Sequence, residues 1–106
     1  MSGGDEPLLD VAFEAQVIHW RGPSPYFFVP LPGAEAEAVR GLARAVTYGW
    51  GVIPVEGRVR GVAFTTSLFP KDGGYLLPLK DAVRRAADLT AGDVVTVEMI
   101  IRPPRR

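Results

Sequence analysis

The stretch Val55-Glu56-Gly57-Arg58-Val59-Arg60-Gly61-Val62-Ala63-Phe64-Thr65-Thr66-Ser67-Leu68 decides the fold class. On its first arm Val55, Gly57 and Val59 share one face, and Glu56, Arg58 and Arg60 share the other. That is the period-two pattern of a half-buried strand. Gly61 then turns the chain, and Gly61-Val62 suits a two-residue hairpin loop with glycine first. This register pairs Arg60 with Ala63, Val59 with Phe64, Arg58 with Thr65, Gly57 with Thr66 and Glu56 with Ser67. Moving the loop to Arg60-Gly61 changes the partners and keeps both faces, because side chains alternate with a period of two. Val59, Phe64 and Leu68 point inward in either case, and Arg58, Thr65 and Ser67 share the outer face.

Downstream, Pro70-Lys71-Asp72-Gly73-Gly74 reads as a turn and Tyr75 to Leu79 as a short strand. Asp81 to Asp88 is expected to be a short helix with Leu79, Val83, Ala86 and Ala87 inward. Its outer face can pair Asp81 with Arg85 and Arg84 with Asp88, both at i, i+4. Thr90-Ala91-Gly92-Asp93 turns the chain, and Asp93 is expected to accept hydrogen bonds from nearby amides. Val94 to Ile101 is the strongest strand signal.

Upstream, Tyr48-Gly49-Trp50-Gly51 closes a helix whose stripe is Val39, Leu42, Ala43 and Val46, with Glu35 and Glu37 in its first turn. Tyr26 to Leu31 is an aromatic strand that Pro30 ends or places on an edge. Arg21-Gly22-Pro23-Ser24-Pro25 breaks it from a first strand in which Leu9, Val11, Phe13, Ala15 and Val17 face inward. The order β-β-α-β-β-β-α-β predicts a mainly β fold, a small six-stranded β-barrel with two short helices plugging its ends. Residues 1–7 read as a disordered leader, 8–102 as a single β-barrel domain and 103–106 as a basic tail.

Composition bounds the function. A chain of 106 residues and 11.5 kDa is one domain. Folding can hide roughly 65% of its extended surface, enough for a core without covalent staples. Twelve basic and twelve acidic residues cancel, so no net field recruits nucleic acid or anionic lipid. The absence of cysteine excludes disulfide frameworks, thiolate zinc sites and thiol nucleophiles. The start Met1-Ser2-Gly3-Gly4-Asp5-Glu6-Pro7 is polar and acidic, and no apolar run reaches the ~20 residues that span a bilayer. A cytoplasmic protein with no membrane partner is the expectation.

Larger motifs carry a resemblance. Trp50-Gly51-Val52-Ile53-Pro54-Val55 leads into Gly61-Val62-Ala63-Phe64-Thr65-Thr66-Ser67-Leu68-Phe69-Pro70. Then come Gly74-Tyr75-Leu76-Leu77-Pro78-Leu79-Lys80, Val83-Arg84-Arg85-Ala86 and Gly92-Asp93-Val94-Val95-Thr96-Val97. With Phe13-Glu14-Ala15 and Phe28-Val29-Pro30-Leu31-Pro32, the string resembles the bacterial domain of unknown function 1905 family over about nine-tenths of the chain. That resemblance implies a small β-barrel and carries over no catalytic residue. The helix, Gly92-Asp93 and strand ending is also similar, at the level of fold, to the swapped-hairpin barrels of AbrB-type transcription factors.

No constellation for catalysis stands out. His19 is the single histidine, and it lacks the partners that metal binding or general base chemistry needs. Ser67 lacks the glycine-flanked elbow of hydrolases, and the glycines miss the spacing of nucleotide-binding loops. No catalytic residue, metal or cofactor is therefore assigned. The candidate ligand-binding residues are Arg58, Thr65 and Ser67, a guanidinium beside two hydroxyls, joined by Lys80 and Arg84 if the short helix folds across the hairpin. Such donors suit the phosphate or carboxylate of an anionic small molecule. The ordinary alternative is a solvated ladder in which Glu56 neutralises an arginine.

The expected function is a non-catalytic small-barrel binding or interaction module that self-associates. Trp50, Phe69 and the Tyr26 to Phe28 run exceed what one small barrel hides, so a homodimer is expected. The alternatives are a nucleic-acid-binding barrel of the AbrB kind, which the zero net charge disfavours, and an enzyme acting on an anionic small metabolite.

Overall fold

The computed structural model describes residues 6–21, 26–46 and 52–103. The loop around Trp50, the turn at Pro23 to Pro25, most of the leader and the doublet Arg105-Arg106 lie outside the described residues. In chain order the elements are β1 (Leu9–Gln16), β2 (Ile18–Trp20), β3 (Tyr26–Pro30), α1 (Gly33–Val46), β4 (Ile53–Val59), β5 (Val62–Lys71), β6 (Gly74–Leu79), α2 (Asp81–Ala86) and β7 (Val94–Ile101). The strands form one sheet in the order β1-β7-β4-β5-β6-β3-β2, and all its pairings are antiparallel.

This corrects the six-stranded barrel. The protein is mainly β with two helices, but its sheet has seven strands and curves into a half-barrel. The extra strand arises at Val17, which splits the expected first strand in two. Val17 is buried, and its backbone is held by Asp93 O at 2.8 Å and by Gly92 N at 2.8 Å. The chain therefore pairs with β7 before the corner and with β3 after it. Sequence periodicity runs through the corner unbroken, so it cannot reveal that the strand changes partners.

Along β1, β4 and β7 the alternation works as read. Val55, Val59, Val95, Val97, Met99 and Ile101 are buried while Arg58, Thr96 and Glu98 are exposed. Inside the curve, Val29, Leu31, Tyr75, Leu77 and Leu79 join the same core. At one end α1 contributes Ala36 and Val39, with Leu42 and Ala43 half-buried against the cluster. Its first turn is anchored by Ala36 N donating to Pro32 O at 2.9 Å, and it carries Glu35, the charge the helix dipole favours there. With 14 residues, α1 is longer than a short plug.

The α2 helix is shorter than expected. It ends at Ala86 because Ala87 caps it and Asp88 turns to a positive φ of 56°. Ala87 and Leu89 are buried and Val83 is packed on the core, whereas Ala86 is exposed. The truncation removes the expected Arg84 to Asp88 pair. The expected Asp81 to Arg85 pair is present at 3.9 Å, and Asp81 also faces Arg84 at 3.6 Å.

Two hairpin tips differ from the sequence reading, the first shifted by one residue from Gly61-Val62 and the second tighter. The β4–β5 loop is Arg60-Gly61, with φ of 47° and 79°, and pairs Val59 with Val62 and Arg58 with Ala63. The β5–β6 loop is Asp72-Gly73, with φ of 52° and 80°, so Pro70 and Lys71 lie in the strand. Positive φ at both central residues is the hairpin turn whose twist matches that of the flanking strands. Among the described residues no helix is long and apolar enough to cross a membrane.

Candidate functional site

The outer face of the sheet has two halves of different chemistry. The first covers β1, β7, β4 and β5, where the registers set residues in rows. One row runs Ala12, Glu98, Arg58, Ala63, and the next runs Asp10, Ile100, Glu56, Thr65. Together they line an open trough of about 860 Å³. Arg58 Nε lies 3.6 Å from Glu98 Oε1. Glu56 is held by Arg102, whose Nε donates to Oε2 at 2.6 Å and whose Nη2 donates to Oε1 at 3.3 Å. The trough thus sets three carboxylates, Asp10, Glu56 and Glu98, against two guanidinium groups, Arg58 at Glu98 and Arg102 at Glu56.

The five expected site residues do not form one group. Arg58 and Thr65 line the trough. Ser67 shares their face one row further on, opposite Pro54. Lys80 is the exposed residue before α2. Arg84 lies over Phe27, with its guanidinium carbon 4.2 Å from the ring centre. Its Nη1 donates to Leu89 O at 3.3 Å, and its buried Nε has no hydrogen-bond partner. The exposed His19 ring also stacks on Phe27, with centroids 4.6 Å apart. Asp93 does the turn work expected of it: its Oδ2 accepts from Thr90 N at 2.9 Å. Among the described residues no group of three histidine or carboxylate side chains could hold a metal ion.

The second half of the outer face, over β2, β3, β6 and the end of β5, is apolar. The registers place Trp20 beside Tyr26, Ile18 beside Phe28 and Pro78, and Pro30 beside Leu76 and Phe69. Tyr26 meets Phe28 edge-on at 5.3 Å, and Phe28 meets Phe69 in the same way at 5.4 Å. Phe28 and Leu76 are buried at 8% and 9% exposure yet stand apart from the core cluster. Ile18 and Trp20 beside them are 38% and 50% exposed. Lys71 Nζ sits 5.3 Å from the Trp20 ring centre, and burial, helped by the nearby Asp81 charge, raises the Tyr26 phenol above its ordinary pKa.

The family model described as Domain of unknown function (DUF1905) matches residues 13–99, which takes in every strand except the ends of β1 and β7. The chain belongs to this family. No protein with a curated description matches it. The DUF1905 match spans both halves of the outer face, and its description assigns no chemistry to either. Sequence reading missed Asp10, Glu98 and Arg102 as neighbours of the hairpin, because they arrive through β1 and β7. It noted the aromatic run at Tyr26 to Phe28. What it lacked was the Ile18 to Phe28 pairing that turns the run into a face.

Proposed function

We propose that this DUF1905 protein is a non-catalytic interaction module whose working surface is the apolar outer face around Trp20, Ile18 and Phe28. One observation supports the reading above the rest. Phe28 and Leu76 form a satellite cluster outside the core, flanked by the exposed Ile18 and Trp20. Ile18 and Trp20 are the exposed part of this apolar region, and exposed apolar groups gathered on the solvent side of a sheet mark contact surfaces. The Ile18→Thr, Trp20→Ser double variant tests this. The expected fall in melting temperature stays below about 8 °C, since Ile18 and Trp20 already leave 38% and 50% of their surface in solvent. A fall of about 8 °C or more would mean that these side chains serve the fold, and the reading fails.

A second reading, an anionic small molecule bound at Arg58, Thr65 and Ser67, has the shared face in its favour. The charge of the trough opposes it, because Glu98 already faces Arg58, Arg102 is taken up by Glu56, and the carboxylate of Asp10 repels an anion. In a phosphate titration followed by NMR, the amides of Arg58, Thr65 and Ser67 are expected to stay still. Saturable shifts at those three would favour the ligand site instead. Salt-sensitive binding of mixed DNA or RNA, or turnover in broad substrate profiling, would replace the interaction module altogether.

A further inference from the structure

We propose that Asp72-Gly73, the tip of the β5–β6 hairpin, is a spontaneous modification site at which the aspartyl link converts to an isoaspartyl link through a cyclic imide, and that Arg40 holds this reaction back. The sequence isolates the site. The chain has no asparagine, and Asp72 is the one aspartate followed by glycine. At every other aspartate the next residue carries a side chain, which crowds attack by its amide nitrogen. Position in the fold widens the difference. Asp10 lies within β1, Asp81 faces Arg84 and Arg85, and Asp93 Oδ2 accepts from Thr90 N. The Leu89 amide, next after Asp88, already donates to Arg84 O. The Asp72 side chain is 87% exposed, and Lys71 Nζ comes no closer to its Oδ2 than 3.9 Å. Lys71 pairs with Gly74 to close the loop, so the Gly73 amide stands at the tip, outside the ladder. A Cβ added at Gly73 would meet nothing within 4 Å, so the tip has room for a ring.

In the reaction the Gly73 amide nitrogen bonds to Asp72 Cγ. The hydroxyl of the neutral carboxyl group leaves with the amide proton as water, and the imide closes. Water then opens the imide at either carbonyl. Opening at the main-chain carbonyl of Asp72 leaves the chain running through its Cβ and Cγ, with a free main-chain carboxylate in place of the side-chain one. Net charge is unchanged, and no oxidant or reductant takes part. Nucleophile and carboxyl belong to adjacent residues, so the step is intramolecular. Ring closure swings the Gly73 nitrogen onto the side-chain carbon, and the tip must leave its paired conformation, with φ of 52° and 80°, to allow it. Aspartate occupies the left-handed region at a cost that the opened tip sheds. Arg40 opposes the opening. Its Nη2 donates to Gly73 O and its Nη1 to Glu37 Oε2 at 2.5 Å, which ties the tip to α1. The product carries one more carbon in the main chain, so a two-residue loop no longer matches the Lys71 to Gly74 closure.

Incubation of the full chain for several weeks in water enriched in heavy oxygen, followed by peptide mapping, tests the proposal. Each passage through the imide puts one oxygen from water into the residue, whichever way the ring opens, and fragmentation of the peptide separates isoaspartate from aspartate. Asp72 is expected to gain label and isoaspartate at least about ten-fold faster than Asp81, Asp88 and Asp93 in the same sample. Asp72→Glu, whose ring would be larger, is expected to stay unlabelled at that position. Arg40→Ala, with unchanged circular dichroism, is expected to speed labelling at Asp72 about five-fold and to leave the other three aspartates at the parent rate. Labelling of Asp72 no faster than that of the others overturns the site. A rate at Asp72 indifferent to Arg40→Ala, or a rise at all four aspartates together, overturns the part given to Arg40.

Discussion

Gly57 is a single-residue example of chemistry that pattern reading ranks too low. In the alternation it fills an inward position with no side chain. The ring of Phe64 occupies the vacancy, and a Cβ built on Gly57 would lie 2.5 Å from its Cζ. Gly57→Ala is therefore expected to cost about 1–3 kcal/mol through overpacking, read as a lowered denaturant midpoint with an unchanged slope. Phe64→Leu should absorb part of that cost, so the double variant falls short of the sum of the two singles. Additive losses would show that the ring and the glycine are not coupled. Tyr26 gives a second prediction. Its phenol pKa is raised from 10.0 first by burial and then by the charge of Asp81, so Asp81→Asn should lower it only part of the way, as followed by ultraviolet titration. A group whose folded pKa is raised adds stability that is complete below its unfolded pKa. That stability is lost as pH rises through the folded value, so the effect belongs to the alkaline side. Complete reversion in Asp81→Asn would make the carboxylate, not burial, the cause. At this scale the inward and outward assignments were legible, because parity survives a shift of the hairpin register by one loop position. The filling of the Gly57 vacancy was not, because it depends on a partner strand.

The β4–β5 and β5–β6 tips each use two residues of positive φ, and Arg60 is the costly choice among them. A non-glycine residue in the left-handed region is uncommon, and it persists when its surroundings hold it there. Arg60 Nη1 donates to Asp88 O at 2.8 Å and to Ala87 O at 3.2 Å, so the β4–β5 tip clamps the two carbonyls that follow α2. Arg60→Asn keeps a residue tolerant of the tip conformation and removes the clamp. The expected result is faster hydrogen exchange around the end of α2, by about five-fold for one lost bond of ~1 kcal/mol, with the hairpin amides unchanged. The Leu89 amide, which donates to Arg84 O at 2.9 Å, is the reporter. Equal protection in parent and variant would show that core packing of Ala87 and Leu89 alone fixes the helix. Sequence spacing indicated a short helix here. It could not show that an arginine some 28 residues away bonds the carbonyls just beyond its end.

For the molecule as a whole, the two ends of the sheet meet in one chain segment. Val17 sits between β1 at one end of the order and β2 at the other, and its backbone is tied to Gly92 and Asp93. A cavity at this corner loosens both ends together. Val17→Ala is expected to destabilise the fold by about 2 kcal/mol and to raise exchange in both the β1–β7 and β2–β3 ladders. If only one ladder loosens, the corner is a local packing site and does not join the halves.

The sequence by itself determined the β class, the two helical stretches, the inward set of each long strand and the turn role of Asp93. Those properties depend on periods of two and 3.6 and on local turn chemistry, and both are written in neighbouring residues. Tertiary structure alone decided that Val17 divides a strand, that Glu98 and Asp10 stand beside Arg58, and that Ile18 and Trp20 continue the aromatic surface of Phe28. Each of these depends on which strands pair across long loops. Burial energy favours apolar faces meeting apolar faces but does not name the partner, so that choice is made only when the whole sheet assembles.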